Sequence, residues 1–274
     1  MNQMQQLLLI KIGGNVIDQP AALKTFLDDY VPIAGKKILI HGGGKIATDI
    51  SRALRIEAQL IDGRRVTDAE TLKVVTMVYG GLINKMIVSG LQARGCNAIG
   101  LTGADADVIA AKKRVDKNID YGFVGDIERV NVEPIRQFLE NGLAPVFAPL
   151  THDGKGAMLN TNADTIAAAL ASALCKSYET RLIYCFDKKG VLATTDEESV
   201  IPQLNLKQYQ DLKTQGIVTK GMLPKLDNAF ATLQAGVHAV TLCHAAQIQR
   251  AVKGGLAVGT TLVLNKKSEV RLGQ

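Results

Sequence analysis

The sequence predicts an α/β fold: an open, mainly parallel sheet sandwiched between helices, with two lobes sharing that one continuous sheet. Three observations lead there. Short β-rich apolar runs alternate with longer amphipathic segments almost from end to end, the pattern of parallel strands joined by crossover helices. The chain has 274 residues, 47% of them hydrophobic, which suffices for a sizeable core without disulfide or metal staples. No internal repeat, low-complexity tract or Ser/Pro linker breaks the alternation, so the lobes are not strung on a tether.

Taken in order, the first strand is expected at 7–12, a nearly unbroken apolar run of the kind that a sheet covered on both faces requires. A helix at 21–30 leads to a strand at 37–41, and a helix at 46–55 follows. A long helix at 69–93 precedes the strand at 98–102. Residues 106–130, with Asp120-Tyr121-Gly122-Phe123 between alternating stretches, read as a hairpin excursion from the sheet. The alternation resumes with a helix at 132–141, a strand at 144–148 and a helix at 164–175. Strands at 181–186, 239–243 and 261–264, with helices at 206–215, 222–235 and 245–252, complete the chain. Pro224 suits the first turn of the helix at 222–235, where its missing N–H is not needed. The seam between lobes is expected near 177–180, giving an N-terminal lobe of 1–178 and a C-terminal lobe of 179–274.

Charge and composition narrow the function. Thirty-two Lys and Arg stand against 26 Asp and Glu, a net charge of +6, yet there is no Trp and no dense basic stripe. Few aromatics are available to stack bases, so nucleic acid is not the expected partner, and a mildly basic surface suits small anions equally well. The cysteines Cys96, Cys175, Cys185 and Cys243 form no CxxC pair, which points to a reducing, cytoplasmic home. No uninterrupted apolar run nears the ~20 residues of a membrane helix. The run at Leu7-Leu8-Leu9-Ile10 is too short for a signal peptide.

In open α/β sheets ligands gather at the carboxyl ends of the strands, so the turns there matter most. Two are glycine-rich: Lys11-Ile12-Gly13-Gly14-Asn15 and His41-Gly42-Gly43-Gly44-Lys45. Glycine lets bare N–H groups approach an anion, and the following helix adds the positive end of its dipole. Gly42, Gly44 and Ala47, with Asp62 beyond them, also satisfy a dinucleotide-binding pattern by spacing. Against it stand the Gly-Gly turn of the first strand and the Arg64-Arg65 pair. The Walker A pattern fails, because Lys45 is followed by Ile46 and no glycine stands where the pattern begins. Asn160-Thr161-Asn162-Ala163-Asp164 precedes a helical run, where Asn162 or Asp164 suits N-capping. Asp187-Lys188-Lys189-Gly190 follows another strand, and Lys220 and Lys225 flank a helix start, where a cation is easier to understand if an anion lies beside it.

These motifs, with Gly63-Arg64-Arg65-Val66-Thr67, occur in the order and spacing of the amino acid kinase family, which the chain resembles from about residue 7 to about residue 264. The resemblance lies in the branch that acts on N-acylated glutamates. It implies transfer of the γ-phosphoryl group of ATP to the side-chain carboxylate of N-acetyl-L-glutamate, giving an acyl phosphate for arginine biosynthesis. N-succinyl-L-glutamate, or another acid accepted by the same fold, stays open as the acceptor. The implied catalytic residues are Lys11, Lys225 and Asp164, the two lysines stabilising charge and Asp164 orienting them. Gly43, Gly44, Arg65 and Asn160 would hold the amino acid in the first lobe. Gly13, Gly14, Asp187, Lys188, Lys189, Gly190, Val191, Leu192, Ile217, Val218 and Thr219 would serve ATP, largely from the second lobe, with Mg2+ riding on the phosphates.

The chemistry agrees with what the resemblance implies. A carboxylate of pKa about 4.3 is already ionised at neutral pH and needs no general base. Fixed positive charge and in-line positioning are what phosphoryl transfer requires. His41 is expected to order its glycine loop, and His152, His238 and His244 to be structural or at the surface. Departures from the family pattern fall at Leu150-Thr151-His152, at Phe186-Asp187-Lys188-Lys189 and around Asp105. A non-catalytic nucleotide or amino acid sensor is the rival of another class, and the joint presence of Lys11, Lys225 and Asp164 speaks against it. About six residues precede the first strand, which leads to the expectation of a homodimer insensitive to arginine.

Overall fold

The computed structural model describes residues 4–57, 59–61, 64–194, 196–218, 222–254 and 258–264. Among them, eight strands form one sheet in the order Gln203–Asn205, Thr260–Val263, Ala239–His244, Glu179–Phe186, Gln6–Ile12, Lys36–His41, Ala144–Phe147 and Ala98–Leu101. The last six run parallel. Thr260–Val263 opposes Ala239–His244 and takes Gln203–Asn205 with it, so one edge is reversed. The expected single sheet spanning both halves of the chain is thus present. Its three-residue edge strand at Gln203–Asn205 carries too short a pattern to be distinguished in the sequence.

Alternation along Gln6–Ile12 divides the core into two layers. Leu7 and Leu9 enter a cluster with side chains of the helices Val132–Glu140, Ala163–Leu174 and Leu223–Gln234. Leu8, Ile10 and Ile12 enter the opposite cluster, with the helices Pro20–Tyr30 and Ile248–Lys253 and the helical segment from Ala69 to Gln92. Each fully buried Leu or Ile contributes roughly 2 kcal/mol. Having both faces covered is what turns this strand into a continuous apolar run instead of an alternating one.

The excursion is antiparallel as expected, Ile109–Lys113 against Gly125–Val130. It is enlarged into a four-stranded sheet by Leu150–His152 and Met158–Asn160, which return the chain to the start of helix Ala163–Leu174. Asn160 is bridged there to Val124, so the excursion forms a wall beside the carboxyl edge of the main sheet.

The segment from Ala69 to Gln92 is one 24-residue helix containing an 18-residue stretch with a mean hydropathy of 1.4, long and apolar enough by length and composition to cross a membrane. This departs from the expectation based on uninterrupted runs, because that stretch passes on its mean although Asn84 and Lys85 interrupt it. Val74, Val75, Val78, Ile83, Ile87 and Leu91 turn into the core, while Met77, Leu82 and Met86 face outward. Its middle, Thr76–Ile83, is a π-helix, a form that frequently accompanies functional sites. That stretch holds Tyr79 and Ile83 against Gly43, which sits at φ +140°.

Candidate active site

Gln6–Ile12, Lys36–His41 and Glu179–Phe186 run side by side in one direction, so their carboxyl ends bring Gly13-Gly14, Gly42-Gly43-Gly44 and Asp187 to one edge. The amide of Gly13 donates to the carbonyl of Cys185 at 3.0 Å, tying the first glycine turn to the neighbouring strand. His41 is fully buried. Its Nδ1 is 2.8 Å from the Gly42 carbonyl and its Nε2 is 3.2 Å from Asn84 Nδ2, a pair of contacts that requires Nδ1–H to donate and Nε2 to accept. Burial lowers its pKa to about 4, so the ring is neutral and orders the glycine loop.

Asp164 joins the two lysines. Lys225 Nζ donates to Asp164 Oδ2 at 2.7 Å, and Lys11 Nζ forms an ion pair with Oδ1 at 2.8 Å. Burial opposes the charged carboxylate, but the two ammonium groups outweigh it and hold Asp164 well below the usual carboxylate range. Burial and the Lys11 charge push Lys225 down, against the pull of Asp164 and Asp187. Asn162, not Asp164, caps the helix Ala163–Leu174, accepting from the amides of Asp164 and Thr165 at 2.8 and 3.1 Å.

Lys11 and Asp164 border a cavity of about 230 Å³ that is also lined by Gly14, Gly43, Gly44, Arg65 and Asn160 among others, while Lys225 and Gly13 are not among its lining residues. Seven of the residues that the sequence singles out therefore converge on one space. Arg65 is buried, and its Nη2 donates to the Gly44 carbonyl at 2.9 Å and to Thr48 Oγ1 at 2.6 Å. Its Nη1 is buried on the same cavity without a hydrogen-bond partner among the described residues. A buried charged donor of this kind is costly unless an anion meets it, and a carboxylate matches the guanidinium fork. Asn160 Nδ2 donates to Thr67 Oγ1 at 3.0 Å, and Thr67 in turn donates to the Arg65 carbonyl at 3.0 Å, so Asn160 and Arg65 are positioned through one hydroxyl.

A second hollow of about 160 Å³ lies beyond, lined by Asp187, Lys188, Lys189 and Leu192 with Glu197 and His244. Lys188 is paired with Glu197 at 2.9 Å and Lys189 with Glu198, so neither lysine stands as an uncompensated cation. Gly190 packs so closely on Thr260 that a Cβ there would lie 2.7 Å from its hydroxyl, and the Val191 amide donates to that hydroxyl at 2.8 Å. Val191 and Val218 are core residues lining neither space, whereas Ile217 is partly exposed. Thr219, Lys220 and Gly221 lie outside the described residues, as do Asp62 and Gly63.

Three contributors escape a reading of the sequence. Arg114 lines the main cavity while forked onto Asp126 and stacked over Tyr121. Tyr79 lines it from the π-helix. Tyr184 lies beneath the lysines, with Lys225 Nζ 5.2 Å from its ring centroid. An aromatic in an apolar strand and an arginine at the end of a hairpin strand carry no local mark of a site.

The model of the amino acid kinase family matches residues 6–244. The chain is 56% identical to the acetylglutamate kinase of Cytophaga hutchinsonii over 264 residues, covering 96% of this chain and all of that one. It is 53% identical to the acetylglutamate kinase of Bacteroides fragilis over 245 residues, covering 89% of this chain and 94% of that one. Among solved structures, smu.665 from Streptococcus mutans UA159 superposes with a TM-score of 0.75 at 29% identity, over 94% of this chain and 98% of that one. The N-acetylglutamate synthase from Neisseria gonorrhoeae shares the fold at 20% identity, with a TM-score of 0.81 over 95% of this chain and 60% of that one. With its glycine turns, bridged lysines and buried arginine in one cleft, the chain belongs to the amino acid kinase family.

Proposed function

We propose that the protein transfers the γ-phosphoryl group of ATP to the side-chain carboxylate of N-acetyl-L-glutamate, an ATP-dependent step of amino-acid biosynthesis that yields an acyl phosphate. The observation that carries this reading is the Lys11–Asp164–Lys225 bridge, whose Lys11 and Asp164 line the cavity that also holds Arg65, with its Nη1 free of a hydrogen-bond partner among the described residues. A carboxylate oxygen attacks the γ-phosphorus, the bond from phosphorus to the bridging oxygen breaks, and its electron pair leaves on ADP. No proton moves, because the nucleophile is already ionised. Lys11 then faces the transferring group and Lys225 the charge growing on the leaving ADP, while Arg65 and Asn160 hold the α-carboxylate and its polar neighbours. Backbone N–H groups of Gly14, Gly43 and Gly44 complete the cradle, whereas the Gly13 amide is taken by the Cys185 carbonyl.

The N-terminal lobe, 1–178, takes the amino acid, and the C-terminal lobe, 179–274, takes ATP through Asp187 to Leu192 and through Ile217, Val218 and Thr219. Mg2+ would come with ATP, on whose phosphates it would offset charge. Among the described residues no group of three His, Cys, Asp or Glu side chains could hold an ion, and Asp164 is committed to its lysines. The outward apolar stripe of Met77, Leu82 and Met86 supports a homodimer, and the four cysteines, present as free thiols, suit the cytoplasm.

A second reading, N-succinyl-L-glutamate as the acceptor, is favoured by Arg64, which lines the same cavity as Arg65 and is a cation beyond what one α-carboxylate needs; Arg114 lines it too but is committed to Asp126. ATP-dependent hydroxamate formation with hydroxylamine tests both readings, since hydroxylamine traps an acyl phosphate. Turnover with the acetyl compound, with kcat/KM above that for the succinyl compound, is expected. The reverse order would give the function to the second reading, and no hydroxamate from either would remove both.

A further inference from the structure

Tyr184 lies in the strand Glu179–Phe186 directly opposite Lys11, its register partner on Gln6–Ile12. In a parallel pair, register partners project to the same face, so the phenol ring stands beside the root of Lys11. The ring is buried, at 1% exposure, in the same layer as the helix that carries Asp164. Lys225 Nζ sits 5.2 Å from the ring centroid, within range of a cation–π contact. The hydroxyl donates to the main-chain carbonyl of Asp164 at 3.3 Å, a long bond. Burial first, and the nearby Asp164 charge second, push the phenol well above its ordinary pKa, so the hydroxyl stays a donor. One side chain therefore touches two members of the Lys11–Asp164–Lys225 bridge and stands beside the third.

Lys225 needs such a support. Its stem is long, it starts in the first turn of helix Leu223–Gln234, and its partner Asp164 is shared with a second ammonium. Repulsion from Lys11 and the cost of burial both act to displace it. A quadrupolar ring face beneath the ammonium attracts it without supplying a negative charge that the phosphates would oppose.

We infer that Tyr184 is a positioning residue for phosphoryl transfer, its ring holding the Lys225 ammonium where charge develops on the leaving group. The inference rests on the phosphoryl-transfer reading, and hydroxamate formation by the unaltered enzyme tests that reading separately. Tyr184→Phe keeps the ring and drops only the long hydroxyl bond, so kcat should stay within about threefold of the parent. Tyr184→Leu removes the ring and should lower kcat about tenfold or more, with KM for ATP and for the amino acid within about twofold. In a Lys225→Ala background the same Leu substitution should have no further effect on kcat, because the group it acts through is gone. Leu182→Ala, two residues back on the same face, is the packing control. It should lower the melting temperature while leaving kcat unchanged. A Phe variant that loses tenfold in kcat, a Leu variant with parental kcat, or an undiminished Leu effect in the Lys225→Ala background would each overturn the inference.

Discussion

Asn162 and Asp164 divide one helix start between them: Asn162 accepts the backbone amides of Asp164 and Thr165, and this leaves the Asp164 carboxylate to Lys11 and Lys225. The two residues should therefore fail differently. Asn162→Ala removes a cap worth about 1 kcal/mol and should lower the melting temperature by about 3 °C, with kcat within a few-fold of the parent. Asp164→Asn leaves two ammonium groups facing each other without their bridge and should lower kcat by about a hundredfold or more. Thermal melts and steady-state rates on both variants check the division, and equal kcat losses would contradict it.

Lys225→Ala should lower kcat by orders of magnitude with little change in either KM. The ammonium is tied to Asp164 in the resting enzyme, and its charge matters most when negative charge gathers on the departing ADP. Steady-state kinetics with each substrate varied in turn decide this. A rise in KM for ATP at unchanged kcat would make Lys225 a ground-state binding residue instead.

Arg65→Lys should raise KM for the amino acid about tenfold or more while changing kcat little. Nη2 is engaged with Gly44 and Thr48, so the structure leaves Nη1 for the substrate. A lysine cannot do both, since it lacks the planar fork that reaches two directions at once. An unchanged KM would remove Arg65 from the site.

Much of this arrangement is legible in the sequence because burial on both faces and glycine turns leave strong local marks. Leu7 to Ile12 reads as a strand since every side chain has a covering layer, and Lys11 stands out as a charge at the end of that run. The glycines at 13–14 and 42–44 mark the edge where the strands end. What stays hidden depends on partners distant in sequence. Whether Asn162 or Asp164 caps the helix is decided by lysines more than fifty residues away on either side. Tyr184 reads as core until Lys225 is placed above it. The π-stretch Thr76–Ile83 has no compositional signature, since its widened turns answer to the glycine loop packed against it. Lys188 and Lys189 read as cations for phosphate, and only the fold reveals Glu197 and Glu198 beside them.

His41 should make stability depend on pH in mildly acidic solution. Burial lowers its pKa from 6.5 to about 4, so between those values the unfolded chain binds a proton that the folded protein does not. Stability should thus rise with pH from about 4 to about 6.5, and the contribution amounts to roughly 3 kcal/mol across that window. His41→Gln, which keeps a side-chain amide near Gly42 and Asn84, should flatten this part of the curve. Urea unfolding at half-unit pH intervals measures it, and an equal slope in the variant would assign the dependence to other groups.

Gly43→Ala and Gly44→Ala, one residue apart in the same loop, should behave unlike each other. Gly43 has φ +140°, a conformation that L side chains rarely adopt, and its Cβ would lie 2.2 Å from Ile83 Cδ1. Ile83 is itself fully buried in the π-stretch, so its Cδ1 end would have to turn within a packed core. Backbone strain and collision together should cost on the order of 3 kcal/mol and lower the melting temperature by roughly 8 °C. A Cβ on Gly44 meets nothing within 4 Å and φ there is ordinary, so Gly44→Ala should melt within about 2 °C of the parent. Its effect should fall on substrate binding, because the added methyl stands on the cavity wall where bare amides are proposed to meet the substrate's carboxylate region. Differential scanning calorimetry on the pair separates fold from site: matching melting temperatures would mean that the π-stretch yields to a side chain at Gly43.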